Sequence, residues 1–339
     1  METVLLLCIA IVVIALIFDF TNGFHDAANS IATIVATGVL TPRQAVAWAA
    51  AFNFIALYVF DTGVAKTVGS GMIDLNFVTP LVILCGLLGA IAWNLLTWWW
   101  GLPSSSSHAL IGGYAGAAIA HHALVLGHFD GGFEVIIAAG WMKTLLFLLL
   151  APLIGGALAW LVYRGSSWVI ARWPKTQSER WFGRLQLLSS AFLSLTHGGN
   201  DAQKTAGIIA GALLAGGFTT EFHIPYWALF ASYAVIALGT LMGGWRIVQT
   251  MGYKLTHLDR RAGFCAESGA AMTILCATLL KLPISTTHAT TGAIMGTGIG
   301  RHQHDNILVA KRILIAWLLT IPASAAIGAL LIGLLRAFH

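Results

Sequence analysis

Apolar runs broken by short polar knots make up nearly the whole chain. Stretches 3–18, 31–40, 44–60, 78–100, 133–163, 186–195, 206–216, 225–244, 262–280 and 313–335 are dominated by Leu, Ile, Val, Ala, Phe and Trp. A helix that crosses a bilayer needs about 20 mostly apolar residues. Several of these runs are long enough, and others are too short to cross alone. The short ones come in pairs: 3–18 and 31–40 flank "DFTNGFHDAANS", and 186–195 and 206–216 flank "THGGNDAQKT". Their spacing predicts interrupted helices, which are tolerated at membrane depth where the freed backbone is buried in protein or lines a wet cavity. A different knot, "GLPSSSSHALIGG" (101–113), sets a proline, four consecutive serines and a histidine between apolar flanks.

Composition agrees with an all-α polytopic membrane protein. Of 339 residues, 58% are hydrophobic and 9% charged, and 37 Gly and 13 Trp accompany them. A soluble domain carries about 25% charged residues, whereas small residues at helix contacts and interfacial aromatics are usual in membrane bundles. The net charge of +5 is unevenly placed. Arg164, Arg172, Lys175, Arg180 and Arg184 crowd one segment, and Arg246, Lys254, Arg260 and Arg261 another. Beside membrane spans such segments predict cytoplasmic loops rather than nucleic-acid contacts. Cys8, Cys85, Cys265 and Cys276 lack metal-ligand spacing and read as core residues. The first apolar run has no basic leader or small-residue cleavage site, so it is expected to be a retained span.

The polar knots recur. "TNGFHDAANS" (21–30) aligns with "THGGNDAQKT" (196–205), pairing Gly23 with Gly198 and Asp26 with Asp201. "LPSSSSHALIGG" (102–113) aligns with "LPISTTHATTGA" (282–293), pairing Pro103 with Pro283, Ser105 with Ser285, His108 with His288 and Gly112 with Gly292. Two motifs in the same order divide the chain into a first half, 1–163, a basic cytoplasmic linker, 164–185, and a second half, 186–339. Matched polar interruptions in two halves are a pointer to a transporter's binding site.

Each knot carries chemistry suited to that role. Pro103 is placed to open a helix, so the serines after it would stand among free backbone N–H groups, where anions bind. Ser285, Thr286 and Thr287 would offer the same from the other half. N-capping is the plainer use of such residues, but the matched pair favours a cage of neutral donors that strips water from an oxyanion and still releases it. Asp26 and Asp201 are costly at membrane depth unless paired or functional. Beside Asn29 and Asn200 they suit a hard cation such as Na⁺, and a poorly hydrated carboxylate can also carry a proton. Asp201 with Lys204, three residues on, could instead form a structural ion pair. His25, His108 and His288 are candidate proton carriers or hydrogen-bonded core residues. His121, His122, His128, His302 and His304 read as loop residues, and no spacing marks a metal site. Hydrolase signatures, zinc-protease motifs and phosphate-binding glycine loops are missing, so an enzyme is not expected.

At these motifs the sequence resembles the inorganic phosphate transporter (Pit) family, in its bacterial low-affinity form. The family's repeated G-A-N-D-x-x-N signature reads "GFHDAAN" (23–29) and "GGNDAQK" (198–204) here, beside the two L-P-x-S-[ST]-[ST]-H elements. The resemblance spans essentially the whole chain. It implies an inverted-repeat transporter with transport and scaffold helices, two re-entrant helical hairpins and a homodimer in the bacterial inner membrane. It also implies phosphate held by Ser105, Ser106, Ser107, Ser285, Thr286 and Thr287, with Gln203 touching it. Coupling ions would lie at Asp26, Asn29, Asn200 and Asp201. Two departures from the signature stand out: His25 and Lys204 each replace an Asn. The expectation is a symporter of inorganic phosphate coupled to H⁺ or Na⁺, with the proton favoured because an ammonium cannot ligate sodium, and with divalent metal–phosphate complexes as a further cargo. Sulfate is the main rival oxyanion, and an uncoupled gated anion channel is the rival from another class.

Overall fold

In a solvent without hydrogen-bonding partners the backbone must satisfy itself, and this chain does so with helices. The computed structural model describes residues 2–301 and 306–337. Its helices are α1 (Glu2–Ala36), α2 (Pro42–Ile55), α3 (Gly63–Ser70), α4 (Pro80–Trp100), α5 (Ser106–Leu126), α6 (Ala138–Val169), α7 (Lys175–Ala215), α8 (Tyr226–Met242), α9 (Trp245–Gln249), α10 (Arg260–Leu279), α11 (Thr286–Gly300) and α12 (Ile307–Ala337). A π-turn, Thr250–Lys254, extends α9. Among the described residues, six helices are long and apolar enough to cross a membrane, or eight if each sharply bent pair is one span.

The breaks are not where the polar runs predict them. Residues 21–30 lie inside α1, and 196–205 lie inside α7, both continuous helices. An i→i−4 backbone bond is indifferent to side-chain polarity, and the polar side chains here face protein rather than lipid. The paired glycines serve close packing instead of a break. A methyl group on Gly23 would strike the Ile236 carbonyl of α8, and one on Gly198 the Asn53 backbone of α2. Likewise, only 170–174 of the basic segment 164–185 is free of helix; Lys, Arg, Glu and Gln favour helix even where they end a membrane span. His121 and His122 belong to α5, not a loop, and His302 and His304 lie outside the described residues.

True breaks occur at two bent pairs and two tight turns. The helix of residues 42–58 meets α3 at 86°, and α8 meets the segment 245–254 at 60°. The turns 101–105 and 281–285 reverse α4 into α5 and α10 into α11. Gly101 closes α4 in the left-handed region (φ 65°). At the matching position Lys281 adopts φ 60°, alone among the described non-glycine residues. Its carbonyl accepts a hydrogen bond from Thr67 Oγ1 of α3 at 2.7 Å.

Both halves therefore run in one order: a long helix, a bent pair, a hairpin, then a long helix with an internal proline (Pro152 in α6, Pro322 in α12). They are interlaced rather than side by side. Helix α5 packs most extensively on α12 of the other half, and α11 on α6, while α1 lies on α8 and α2 on α7. The apolar core is shared accordingly. Ile31 and Ile34 of α1 join Ile274 of α10 and Ile294 of α11 in one cluster, and Ile11 and Phe18 join Leu87, Leu110 and Ile208 in another.

Candidate functional site

The interlacing brings the four knots together as one buried, collapsed chamber whose polar side chains bond to one another directly. Each hairpin turn delivers its hydroxyl residues to a helix N-terminus, α5 or α11, where backbone N–H groups lack intrahelical partners. Ser105 and Ser285 are the N-caps: each Oγ accepts from the backbone N–H of His108 or His288, at 3.2 and 3.1 Å. Pro103 stands two residues before the cap rather than at the first helical position, and its carbonyl accepts from Trp317 Nε1 at 3.0 Å. Ser104 turns back to Thr97 Oγ1, 2.8 Å away.

The next residues of each turn reach the signature helices. Ser106 Oγ donates to Asp26 Oδ1 at 3.2 Å, and Asp26 Oδ1 also lies 2.7 Å from His25 Nδ1. His25 Nε2 is fixed by Thr97 Oγ1 at 3.1 Å. Asn29 Nδ2 donates across the halves to Thr287 Oγ1 (3.0 Å) and Thr286 Oγ1 (3.3 Å). Thr286 Oγ1 approaches Asp201 Oδ2 at 3.4 Å, as does His197 Nε2. One ligand atom each from Asp26, His197 and Asp201 falls within 4.8 Å of the others. None of the hydroxyl or signature residues named here is more than 3% exposed.

Lys204 sits at the centre. Its ammonium donates to Asp201 Oδ1 (2.6 Å), to the Ile284 carbonyl of the second turn (2.9 Å) and to Ser107 Oγ of the first. The expected ion pair is thus present, and it also ties both turns to α7. A buried cation without such partners would cost several kcal/mol. The Lys204–Asp201 pair leaves Asp26 as the carboxylate whose partners are neutral side chains and His25.

A family model described as the phosphate transporter family matches residues 22–178 and again 171–328, so its pattern occurs once per half. The chain belongs to the phosphate transporter family. It is 50% identical over 326 residues to a probable low-affinity inorganic phosphate transporter of Rhizobium meliloti (strain 1021), covering 96% of this chain and 95% of that one. With the Bacillus subtilis (strain 168) protein of the same description it shares 42% over 334 residues, 97% of each chain. A solved structure titled "The sodium-dependent phosphate transporter" superposes with a TM-score of 0.85 at 25% identity, covering 98% of this chain and all of that one.

Within this phosphate transporter family member, some expected site residues stand apart from the chamber. Gln203 Oε1 accepts from the N–H groups of Val64 and Ala65 (3.1 and 3.2 Å), capping α3, and its Nε2 donates to the Gly199 carbonyl at 2.7 Å. Asn200 braces the second turn: Nδ2 donates to Thr278 Oγ1 (2.9 Å) and the Leu282 carbonyl (3.2 Å), and Oδ1 accepts from Ile284 N–H. His108 and His288 face each other with ring centroids 5.0 Å apart, and His288 stacks on Trp317 at 3.9 Å.

Two buried carboxylates were invisible as site residues in the sequence. Glu267 of α10 accepts from Thr33 (2.6 Å), Gln186 (2.9 Å) and Ser189 (2.5 Å). Asp19 of α1 has no hydrogen-bond partner. Neither has an acidic repeat partner: aligned on the L-P motifs, Glu267 falls opposite Leu87, and aligned on the signatures, Asp19 falls opposite Ser194. For Glu267 the available signal was a charged residue inside the apolar run 262–280; Asp19 opens the polar interruption after 3–18 and was masked by the signature that follows it.

Proposed function

We propose that this protein moves inorganic phosphate across the membrane by alternating access, coupled to protons. What supports this is the meeting of both hydroxyl turns with both signature helices in one chamber closed to solvent. Ser106, Ser107, Thr286 and Thr287 gather their hydroxyls there on Asp26, Lys204, Asn29 and Asp201, so an oxyanion that displaces those bonds meets neutral donors from two sides. Ser105 and Ser285 contribute by fixing the turns, and Gln203 and Asn200 by fixing α3 and the second hairpin. Because every wall is buried, substrate can enter only if the interlaced helices shift, as alternating access requires.

Lys204 decides the coupling. Its ammonium already neutralises Asp201 and fills the space beside it, so a sodium ion there would have to displace a covalently tethered cation. An arriving phosphate competes with Asp201 and the Ile284 carbonyl for the same ammonium, which then supplies one positive charge to the anion. Asp26, with the imidazole of His25 at 2.7 Å, remains available to accept a hydrogen bond from protonated phosphate, a bond that sulfate near neutral pH cannot offer.

The test is uptake of radiolabelled phosphate by proteoliposomes under imposed pH or sodium gradients, with excess sulfate as competitor. The expected result is accumulation driven by an inward proton gradient, with sodium replaceable by choline and sulfate a poor competitor. Accumulation driven by sodium alone, with pH clamped on both sides, would refute proton coupling. Flux indifferent to both gradients would identify a channel.

A further inference from the structure

Asp19 is fully buried, and neither carboxylate oxygen has a hydrogen-bond partner. It lies seven residues before Asp26, about two helical turns along the same face of α1. Two more buried oxygens without partners accompany it: Asn22 Oδ1, one turn further along α1, and Thr205 Oγ1 from α7. Both side chains face the Asp19 carboxylate. A carboxylate, an amide and a hydroxyl from the two signature helices thus meet at one buried place, where no hydrogen bond of ordinary geometry reaches the carboxylate.

The surroundings offer Asp19 no opposite charge that is not already paired. The groups acting on Asp19 from α7 are Asp201 and Lys204, and from α8 the phenol of Tyr233. Lys204 is already committed to Asp201, Ser107 and the Ile284 carbonyl. Helix α4, which also packs on α1, carries no charged residue. An ionised carboxylate left alone at this depth is costly, and the ordinary remedy is to take up a cation. Neighbouring carbonyls are spent in the helices, leaving too few oxygens to replace the hydration of a metal ion. A proton needs only one.

We propose that Asp19 binds and releases the coupling proton, with Asn22 and Thr205 as its hydrogen-bond partners. The inference rests on the phosphate-transport reading above. In the closed chamber the proton forms an O–H bond on one carboxyl oxygen, which donates to Asn22 Oδ1 or Thr205 Oγ1. When movement of α1 against α7 admits water, the ionised form is hydrated and the proton leaves as hydronium. No other bond is made or broken. Asp19 lies beside the chamber rather than within it, so its occupancy reports to phosphate through Lys204 and Asp201 on the adjoining turns of α7.

The test compares wild type, Asp19→Asn and Asp19→Glu in proteoliposomes. Phosphate exchange at equal concentrations on both sides is measured alongside accumulation driven by an inward proton gradient. Asp19→Asn is expected to go on exchanging phosphate, with a rate no longer dependent on pH, while its pH-driven accumulation is lost. Asp19→Glu is expected to restore accumulation. Accumulation by Asp19→Asn equal to wild type would overturn the proposal. So would loss of exchange in both variants, which assigns the carboxylate to structure, or wild-type accumulation driven by sodium and abolished in Asp19→Asn. Absence of phosphate exchange by the wild type would instead overturn the transport reading itself.

Discussion

At the scale of single residues, the hydroxyl motifs divide into two jobs that sequence alone could not separate. Ser105 and Ser285 cap helices, whereas Ser106, Ser107, Thr286 and Thr287 turn toward the signature helices. Replacing a capping serine by alanine is expected to cost about 1 kcal/mol. Ser105→Ala and Ser285→Ala should therefore melt earlier in detergent, with a modest change in KM. Ser107→Ala and Thr287→Ala each strand a buried donor and should also melt earlier, but unlike the caps they should show a clearly raised KM for phosphate. Lys204 gives a sharper contrast. Removing one partner of a buried ion pair costs roughly 3–5 kcal/mol because the other charge is stranded. In Lys204→Asn that stranded group is Asp201, and sodium can take the ammonium's place. The melting temperature of Lys204→Asn should rise when NaCl replaces choline chloride, and its uptake should become sodium-dependent. Wild type should be indifferent to the exchange. A variant equally indifferent would mean that Lys204 does not occupy a cation's position. The Lys204–Asp201 pair was legible from its three-residue spacing. Its hold on both hairpins was not, because Ser107 and Ile284 come from distant parts of the chain.

At the scale of elements, hydropathy located the apolar helices and misplaced the breaks. Runs 78–100, 225–244, 262–280 and 313–335 correspond closely to α4, α8, α10 and α12. Runs split at 21–30 and 196–205 belong to single helices, since hydropathy reports a residue's environment and not its backbone. Helices α5 and α11 escaped the count of apolar runs for the same reason: their Gly, Ala, Thr and Ser faces pack against helices rather than lipid. Proline and glycine were the better guides, as the 101–105 and 281–285 turns show. Those turns differ in one respect that can be measured. Gly101 occupies the left-handed region at no steric cost, whereas a side chain there costs about 1–2 kcal/mol. Gly101→Ala should lower the melting temperature, and its methyl would also press on the Arg246 carbonyl. Lys281→Gly relieves the same conformation in the second turn and should not lower it, unless the lysine stem lying over Gly63 contributes more than the backbone gains. Circular-dichroism melts of the two variants distinguish these outcomes.

At the scale of the whole molecule, the repeat was legible but its interlacing was not. Paired motifs reveal two similar halves, yet nothing local in either half says that α5 will pack on α12 and α11 on α6. Those contacts rest on small residues: Gly116 meets the Ala325 backbone, and Gly292 the Pro152 backbone. The chamber consequently has no complete wall in either half, since Asn29 of the first half holds Thr286 and Thr287 of the second, and Lys204 of the second holds Ser107 of the first. The junction 170–174, by contrast, is largely exposed and outside any helix, so it contributes connection rather than contact. Cutting the chain there should leave the fold intact if both pieces are present. Residues 1–172 expressed alone should yield little stable protein, because α5 and α6 would expose to lipid the Gly and Ser faces meant for α12 and α11. Co-expressed with residues 173–339, they should co-purify and restore phosphate uptake in proteoliposomes. A first half that is stable and binds phosphate by itself would contradict the shared chamber, and with it the requirement that both halves move around one substrate.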